Sequence, residues 1–120
     1  MNILVTGGHG FIGTNLVEEL RRRGHDTWAC DINNSEHDQY SRCDVREYRQ
    51  IQRLIGQHDF DLVYHAAAEY GRWNGEDFHE NLCATNVVGT KNVVRLQEKS
   101  KFKMILFSSA EQGGPNCAWG

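Results

Sequence analysis

Asn2-Ile3-Leu4-Val5-Thr6-Gly7-Gly8-His9-Gly10-Phe11-Ile12-Gly13 is the stretch that decides the fold. Its first five residues are a β-branched and leucine run that stops at a cluster of glycines. That pattern predicts a buried strand entering a tight turn. From Phe11 the apolar period changes. Ile12, Leu16, Val17 and Leu20 recur at helical spacing, while Glu18, Glu19 and Arg21 to Arg23 fill the other face. Gly24 supplies a helix stop, and the arginines suit the negative end of the helix dipole. We read that arginine run as a solvated helix end rather than an anion site.

The rest of the chain repeats the alternation. Asp26 to Asp31 predicts a second strand, and Asn33 to Asp38 a polar loop. A short third strand is expected at Ser41 to Asp44, and a helix over Glu47 to Gln57 with Ile51, Leu54 and Ile55 on one face. Leu62 to Ala66 is the fourth expected strand, Glu69 to Asp77 a polar, aromatic loop, His79 to Ser100 a long helix, and Met104 to Ser108 the fifth strand. Strands alternating with helices of this length predict an α/β fold with a parallel sheet. Right-handed crossovers place helices on both faces, a doubly wound arrangement.

The glycines carry the first chemical signal. Gly7, Gly10 and Gly13 stand at three-residue spacing, and Gly8 to Gly13 also fits G-x-G-x-x-G. In a Rossmann-like turn the first glycine permits the sharp bend. The middle one lets backbone amides approach a pyrophosphate, and the last lets the helix pack on the strand. The amides at the helix start, Phe11 and Ile12 among them, then face the phosphates. The bland alternative is an ordinary glycine-rich loop. Asp31 ends the second strand 18 residues after Gly13, near the spacing of about 20 expected for a ribose-binding carboxylate. Its bland alternative is a strand-terminal turn residue. A carboxylate there accepts hydrogen bonds from ribose hydroxyls and repels a 2′-phosphate. No arginine follows until Arg42, so NAD is expected over NADP.

Composition narrows the function classes. The chain has 120 residues, enough for one domain. A net charge of −3 argues against a nucleic-acid partner. No apolar run approaches the roughly 18 residues of a membrane span, and no signal peptide is evident, so a cytoplasmic location without a membrane partner is expected. Cys30, Cys43, Cys83 and Cys117 have no metal-ligand spacing, which predicts reduced thiols and no metal site.

Five stretches, in order, resemble the extended short-chain dehydrogenase/reductase family of nucleotide-sugar epimerases and dehydratases. Thr6 to Gly13 looks like its T-G-x-x-G-x-x-G turn, and Cys43-Asp44-Val45-Arg46 like its adenine-contacting segment. His65-Ala66-Ala67-Ala68 resembles H-x-A-A, Asn86 to Thr90 resembles N-V-x-G-T, and Phe107 to Glu111 resembles the start of S-S-x-E-V-Y-G. The resemblance implies that Gly7, Gly10, Phe11, Ile12 and Gly13 hold the pyrophosphate of NAD. It also implies that Asp31, Ile32, Asn33 and Asn34 face the adenosine ribose, and that Asp44 and Val45 hold adenine. Ala66, Ala67 and Ala68 would line the nicotinamide side, and Asn86 would support the site. Ser109 aligns with the catalytic Ser/Thr, with Ser108 the near alternative. Each has a plainer reading as well: Asp44 as a helix cap, His65 as a packed core histidine, the serines as a strand end.

The family's Y-x-x-x-K pair is not found. Four residues after Tyr40, Tyr48, Tyr64 and Tyr70 stand Asp44, Gln52, Ala68 and Asn74. After Glu111 the chain departs from the family pattern. Residues 1–111 are therefore expected to form an incomplete NAD-binding domain, and 112–120 an irregular tail. The expectation is a truncated or frame-shifted remnant, or an expressed piece ending in unrelated residues. Its parent would act on a nucleotide sugar. The alternative is a non-catalytic NAD-binding module, regulatory or dependent on a partner chain. Without later strands the fifth strand would be an exposed apolar edge, and a homodimer becomes plausible.

Overall fold

The structure, a computed structural model, describes residues 1–66 and 84–107. Five strands form one parallel sheet: β1 (Asn2–Thr6), β2 (Asp26–Asp31), β3 (Tyr40–Arg42), β4 (Leu62–His65) and β5 (Lys103–Leu106), in the order β3-β2-β1-β4-β5. The switch in strand order falls at β1, which pairs with β2 on one side and β4 on the other. Ligands of open α/β sheets bind beyond the strand ends at such a switch. The helices are α1 (Phe11–Arg22), α2 (Tyr48–Gln57) and α3 (Thr90–Ser100), the last preceded by a π-helical stretch, Ala84–Gly89.

Alternation along β1 sorts two cores. Ile3 and Val5 pack with Val17, Leu20 and Ala29 under α1. Leu4 points the other way, joining Cys30, Val45, Ile51, Leu54, Val63, Val93 and Leu96 under α2 and α3. A strand buried on both faces reads as a continuous apolar run, which is why Asn2 to Thr6 was legible. The doubly wound α/β arrangement expected from the sequence is the one observed.

Some boundaries differ from expectation. β3 ends at Arg42 rather than Asp44. Cys43 N still donates to Asp31 O at 2.8 Å, but Asp44 N is taken by the Gln50 side chain at 2.8 Å, so the ladder cannot continue. β4 stops at His65, and β5 runs from Lys103 to Leu106. In the expected long helix, α winding begins only at Thr90, after the π-helical stretch; 79–83 lie outside the described residues. Among the described residues β5 pairs only with β4, and Ile105, Leu106 and Phe107 are exposed. The 112–120 tail, Cys83 and Cys117 also lie outside the described residues, whereas Cys30 and Cys43 are buried free thiols.

The turn after β1 tolerates glycine alone at two points. Gly7 has φ +70°, in the left-handed region. A Cβ on Gly13 would lie 2.0 Å from Gly7 O, inside backbone that cannot retreat. Gly13→Ala should therefore cost about 3 kcal/mol or more, at the upper end of overpacking effects. Urea denaturation of the variant checks this, and a loss under about 1 kcal/mol would contradict the tight approach.

Candidate functional site

The site grows from the same turn. Gly8 N donates to Cys30 O at 3.0 Å, and Thr14 Oγ1 donates to Gly8 O at 3.0 Å, so the turn is fastened to β2 and to α1. Gly8 is itself pressed on β2, where a Cβ would lie 2.6 Å from Ala29 Cβ. Gly10 caps α1 with extended backbone and no side-chain hydrogen bond, and the first turn of α1 carries no acidic residue. Among the described residues the amides there thus meet no side-chain acceptor, and the positive end of the helix dipole is left for an outside anion.

Asp31 sits directly across from this opening. Its Oδ2 accepts from His9 N at 2.9 Å and its Oδ1 from Ile32 N at 2.8 Å. Each carboxylate oxygen retains a further lone pair for a hydroxyl donor. The His9 ring stacks on Tyr40 at 4.6 Å between centroids and 4° between planes, walling the turn toward β3. The structure thus brings Gly7, Gly10, Phe11, Ile12, Gly13, Asp31 and Ile32 to one end of the sheet. Phe11 is 79% exposed and Ile12 47%, an unusual display of apolar surface beside a polar cradle. Asn33 and Asn34 are exposed on the loop beyond; Asn33 O accepts from the Tyr40 hydroxyl.

The segment after β3, expected to face adenine, is less uniform. Asp44 lines a cleft with Ile32, Arg42 and Gln50. Its carboxylate is gripped by the Arg46 guanidinium, at 2.7 Å from Nη2, and by Arg46 N at 3.0 Å. Those bonds hold its pKa below the usual carboxylate value. The α2 N-cap is Glu47, with no side-chain bond, so capping is not what occupies Asp44. The Val45 side chain does not join the cleft. It is buried against Gly89, where a Cβ would meet Val45 Cγ2 at 2.6 Å.

The sequence reading omitted one residue that matters here and misplaced another. Asn92, buried on α3, donates through Nδ2 to Val45 O at 2.8 Å and to Arg46 O at 3.1 Å, clamping the whole segment. A polar residue on the apolar stripe between Val88 and Leu96 was the available signal. Arg42 was treated as remote from Asp31. In the β2–β3 register the two are direct partners, so the argument for NAD from their separation along the chain fails.

At the end of β4, Ala66 N donates to Thr6 O at 3.2 Å and to Thr6 Oγ1 at 3.1 Å. Asn86 is half-buried in the π-helical stretch. Ala67, Ala68, Ser108 and Ser109 lie outside the described residues, as does the loop containing Trp73. His65 is 2% exposed and lies between two hydroxyls, with Nδ1 2.8 Å from Thr6 Oγ1 and Nε2 3.1 Å from Thr90 Oγ1. It ties β1, β4 and α3 together as a packed core residue. Burial pushes its pKa down to about 4. Tyr40 does not substitute for an acid–base tyrosine near neutrality, because burial, and then the Asp31 charge, pushes its phenol up to about 12.

The comparisons agree with this geometry. The model of the NAD dependent epimerase/dehydratase family matches residues 3–118. The chain is 32% identical to a UDP-N-acetyl-alpha-D-glucosaminuronate decarboxylase of Bacillus cytotoxicus, over 92% of this chain and 37% of that protein. A UDP-glucose 4-epimerase of Thermotoga maritima, solved with UDP-glucose, superposes with TM-score 0.82 at 26% identity, over 91% of this chain and 38% of that one. A monomeric L-threonine 3-dehydrogenase from a metagenome superposes with TM-score 0.85 at 32% identity, over 95% and 38%. The chain thus spans less than two fifths of each of these proteins. Among the described residues no three His, Cys, Asp or Glu side chains gather to hold a metal ion, and no helix is long and apolar enough to cross a membrane.

Buried His65 makes stability depend on pH. Between its ordinary pKa of 6.5 and the folded value of about 4, the unfolded chain binds a proton that the folded chain refuses. Stability should therefore fall as pH drops through that window, by up to about 3 kcal/mol in total. Urea midpoints at about pH 7, about pH 5.5 and about pH 4.5 check this. His65→Gln should flatten the slope, and an unchanged slope in that variant would contradict the assignment.

Proposed function

The chain belongs to the NAD dependent epimerase/dehydratase family, and on that premise we propose that it is the cofactor-holding part of an oxidoreductase that acts on a nucleotide sugar. The observation that carries this reading is the glycine turn, which leaves the start of α1 without a side-chain cap and holds the Asp31 carboxylate beside it through the His9 amide. The residues fit the dinucleotide. The amides of Phe11, Ile12 and Gly13 would hold its pyrophosphate, and Asp31 would accept hydrogen bonds from the adenosine ribose. Exposed Phe11, Ile12 and Ile32 would be covered in part by the ligand. Bound NAD supplies a hydride acceptor and donor at its nicotinamide ring.

The chain's own contribution is binding, orientation and a fixed proton inventory. The buried, neutral His65 would hold the end of β4 in place without exchanging protons near neutral pH. The sugar assignment is supported by the decarboxylase and epimerase likenesses, both of which carry UDP-sugar names. The 120 residues contain no Y-x-x-x-K pair. We therefore expect no turnover from them alone, since general acid–base chemistry needs a group whose pKa suits the operating pH.

Two measurements test the proposal. Asp31→Ala should weaken NAD binding at least about tenfold, the loss expected when a charged hydrogen-bond acceptor is removed. Purified chain with NAD and a panel of UDP-sugars should give no product and no NADH absorbance. Unchanged NAD affinity in the variant would contradict the site, and clear turnover would contradict the inactivity.

A further inference from the structure

The helices α2 and α3 gather positive charge that no described carboxylate offsets. α2 carries Arg49 and Arg53 with no acidic residue, and α3 carries Lys91, Arg95 and Lys99 against the single acid Glu98. All five cations are exposed. Each set is spaced four residues apart, which stacks like charges along one helix side and destabilises it. On α1 the chain behaves otherwise, for there Glu19 pairs with both Arg22 and Arg23. Among the described residues no carboxylate lies within ion-pair distance of the five cations on α2 and α3. Two of them are also held in place. Tyr48, at the start of α2, packs partly buried against the core. The Arg95 guanidinium lies 4.1 Å from the centre of its ring, and Lys99 Nζ lies 5.8 Å from the same centre. Lys99 Nζ also donates to the Tyr48 hydroxyl at 3.3 Å. These contacts turn the α3 cations toward α2, so a basic seam runs between the two helices.

We propose that this seam docks an extended acidic segment of a partner protein, one that presents carboxylates at alternate residues. The spacing argues for that shape. Along α3, Lys91, Arg95 and Lys99 succeed one another at about 6 Å. Residues on one side of an extended strand succeed one another at about 6.6 Å. Successive alternate carboxylates therefore meet successive cations in step. Holding Arg95 and Lys99 against Tyr48 in advance reduces the side-chain freedom lost on binding. A nucleic acid fits less well. The whole chain carries a net charge of −3 in spite of this seam, so the remaining surface repels a long polyanion but not a short segment. The Tyr48 ring that a base would stack on is already taken by the two cations.

Fluorescence anisotropy tests this with a short labelled peptide that alternates serine and glutamate. Its counterpart with glutamine for glutamate and a single-stranded oligonucleotide of equal charge serve as comparisons. The 120-residue chain should bind the glutamate peptide, and salt at about 0.5 M should suppress that binding. Replacing Lys91, Arg95 and Lys99 together by glutamine (K91Q/R95Q/K99Q) should weaken it about tenfold. Replacing Arg22 and Arg23 on α1 (R22Q/R23Q) should leave it within about twofold. A cooperative melt checks that each variant is folded, and the salt and glutamine arms need no variant. Equal affinity for the glutamine peptide would overturn the proposal. So would parental affinity in a folded K91Q/R95Q/K99Q variant, tighter binding of the oligonucleotide than of the peptide, or no peptide binding by the parent chain.

Discussion

The close approach of α1 to the turn before it is the constraint on which the rest depends. Gly13 lies so near the Gly7 carbonyl that a Cβ has no place to go. With Gly7 in the left-handed region, the chain reverses within four residues and sets the α1 N-terminus at the end of β1. Because β1 is the strand at which sheet order switches, that N-terminus falls where both halves of the sheet converge. Fastening then follows from short bonds: Gly8 to Cys30, His9 to Asp31, and Cys43 to Asp31. The Asp31 carboxylate is positioned by the same turn that, on the proposed reading, would hold the phosphates.

The opposite flank joins buried polar groups to its apolar core. Thr6, His65 and Thr90 form a hydrogen-bonded line through the core, and Asn92 reaches the backbone of Val45 and Arg46. Buried polar side chains are costly unless paired, and each of these is paired. Among the described residues no buried side-chain nitrogen or oxygen lacks a partner. A core satisfied in this way resists rearrangement and holds the groups at the sheet end in fixed positions.

Much of this was legible because local sequence and global fold agree. A double-sided apolar strand, a glycine turn and an amphipathic helix announce β1 and α1 without tertiary information. The position of Asp31 at the end of β2 was legible for the same reason, since it closes an apolar strand. Arg42 was misjudged because sequence separation says nothing about strand register, and the β2–β3 pairing sets the two residues side by side. Asn92 was missed because a single polar residue on an apolar helix stripe carries no label for its partner. The pairing of Asp44 with Arg46 two residues on is a turn geometry that periodicity does not encode.

A thermal melt of the chain alone, with NAD and with NADP, tests the account's central claim most directly. A ligand that binds only the folded state stabilises it by about 2.7 kcal/mol at a hundredfold excess over its dissociation constant. The account predicts one cooperative transition, raised by NAD and raised less by NADP, whose 2′-phosphate meets the Asp31 carboxylate. A cooperative transition that NAD leaves unmoved would contradict the site, and the absence of any cooperative transition would contradict the fold as a self-sufficient unit.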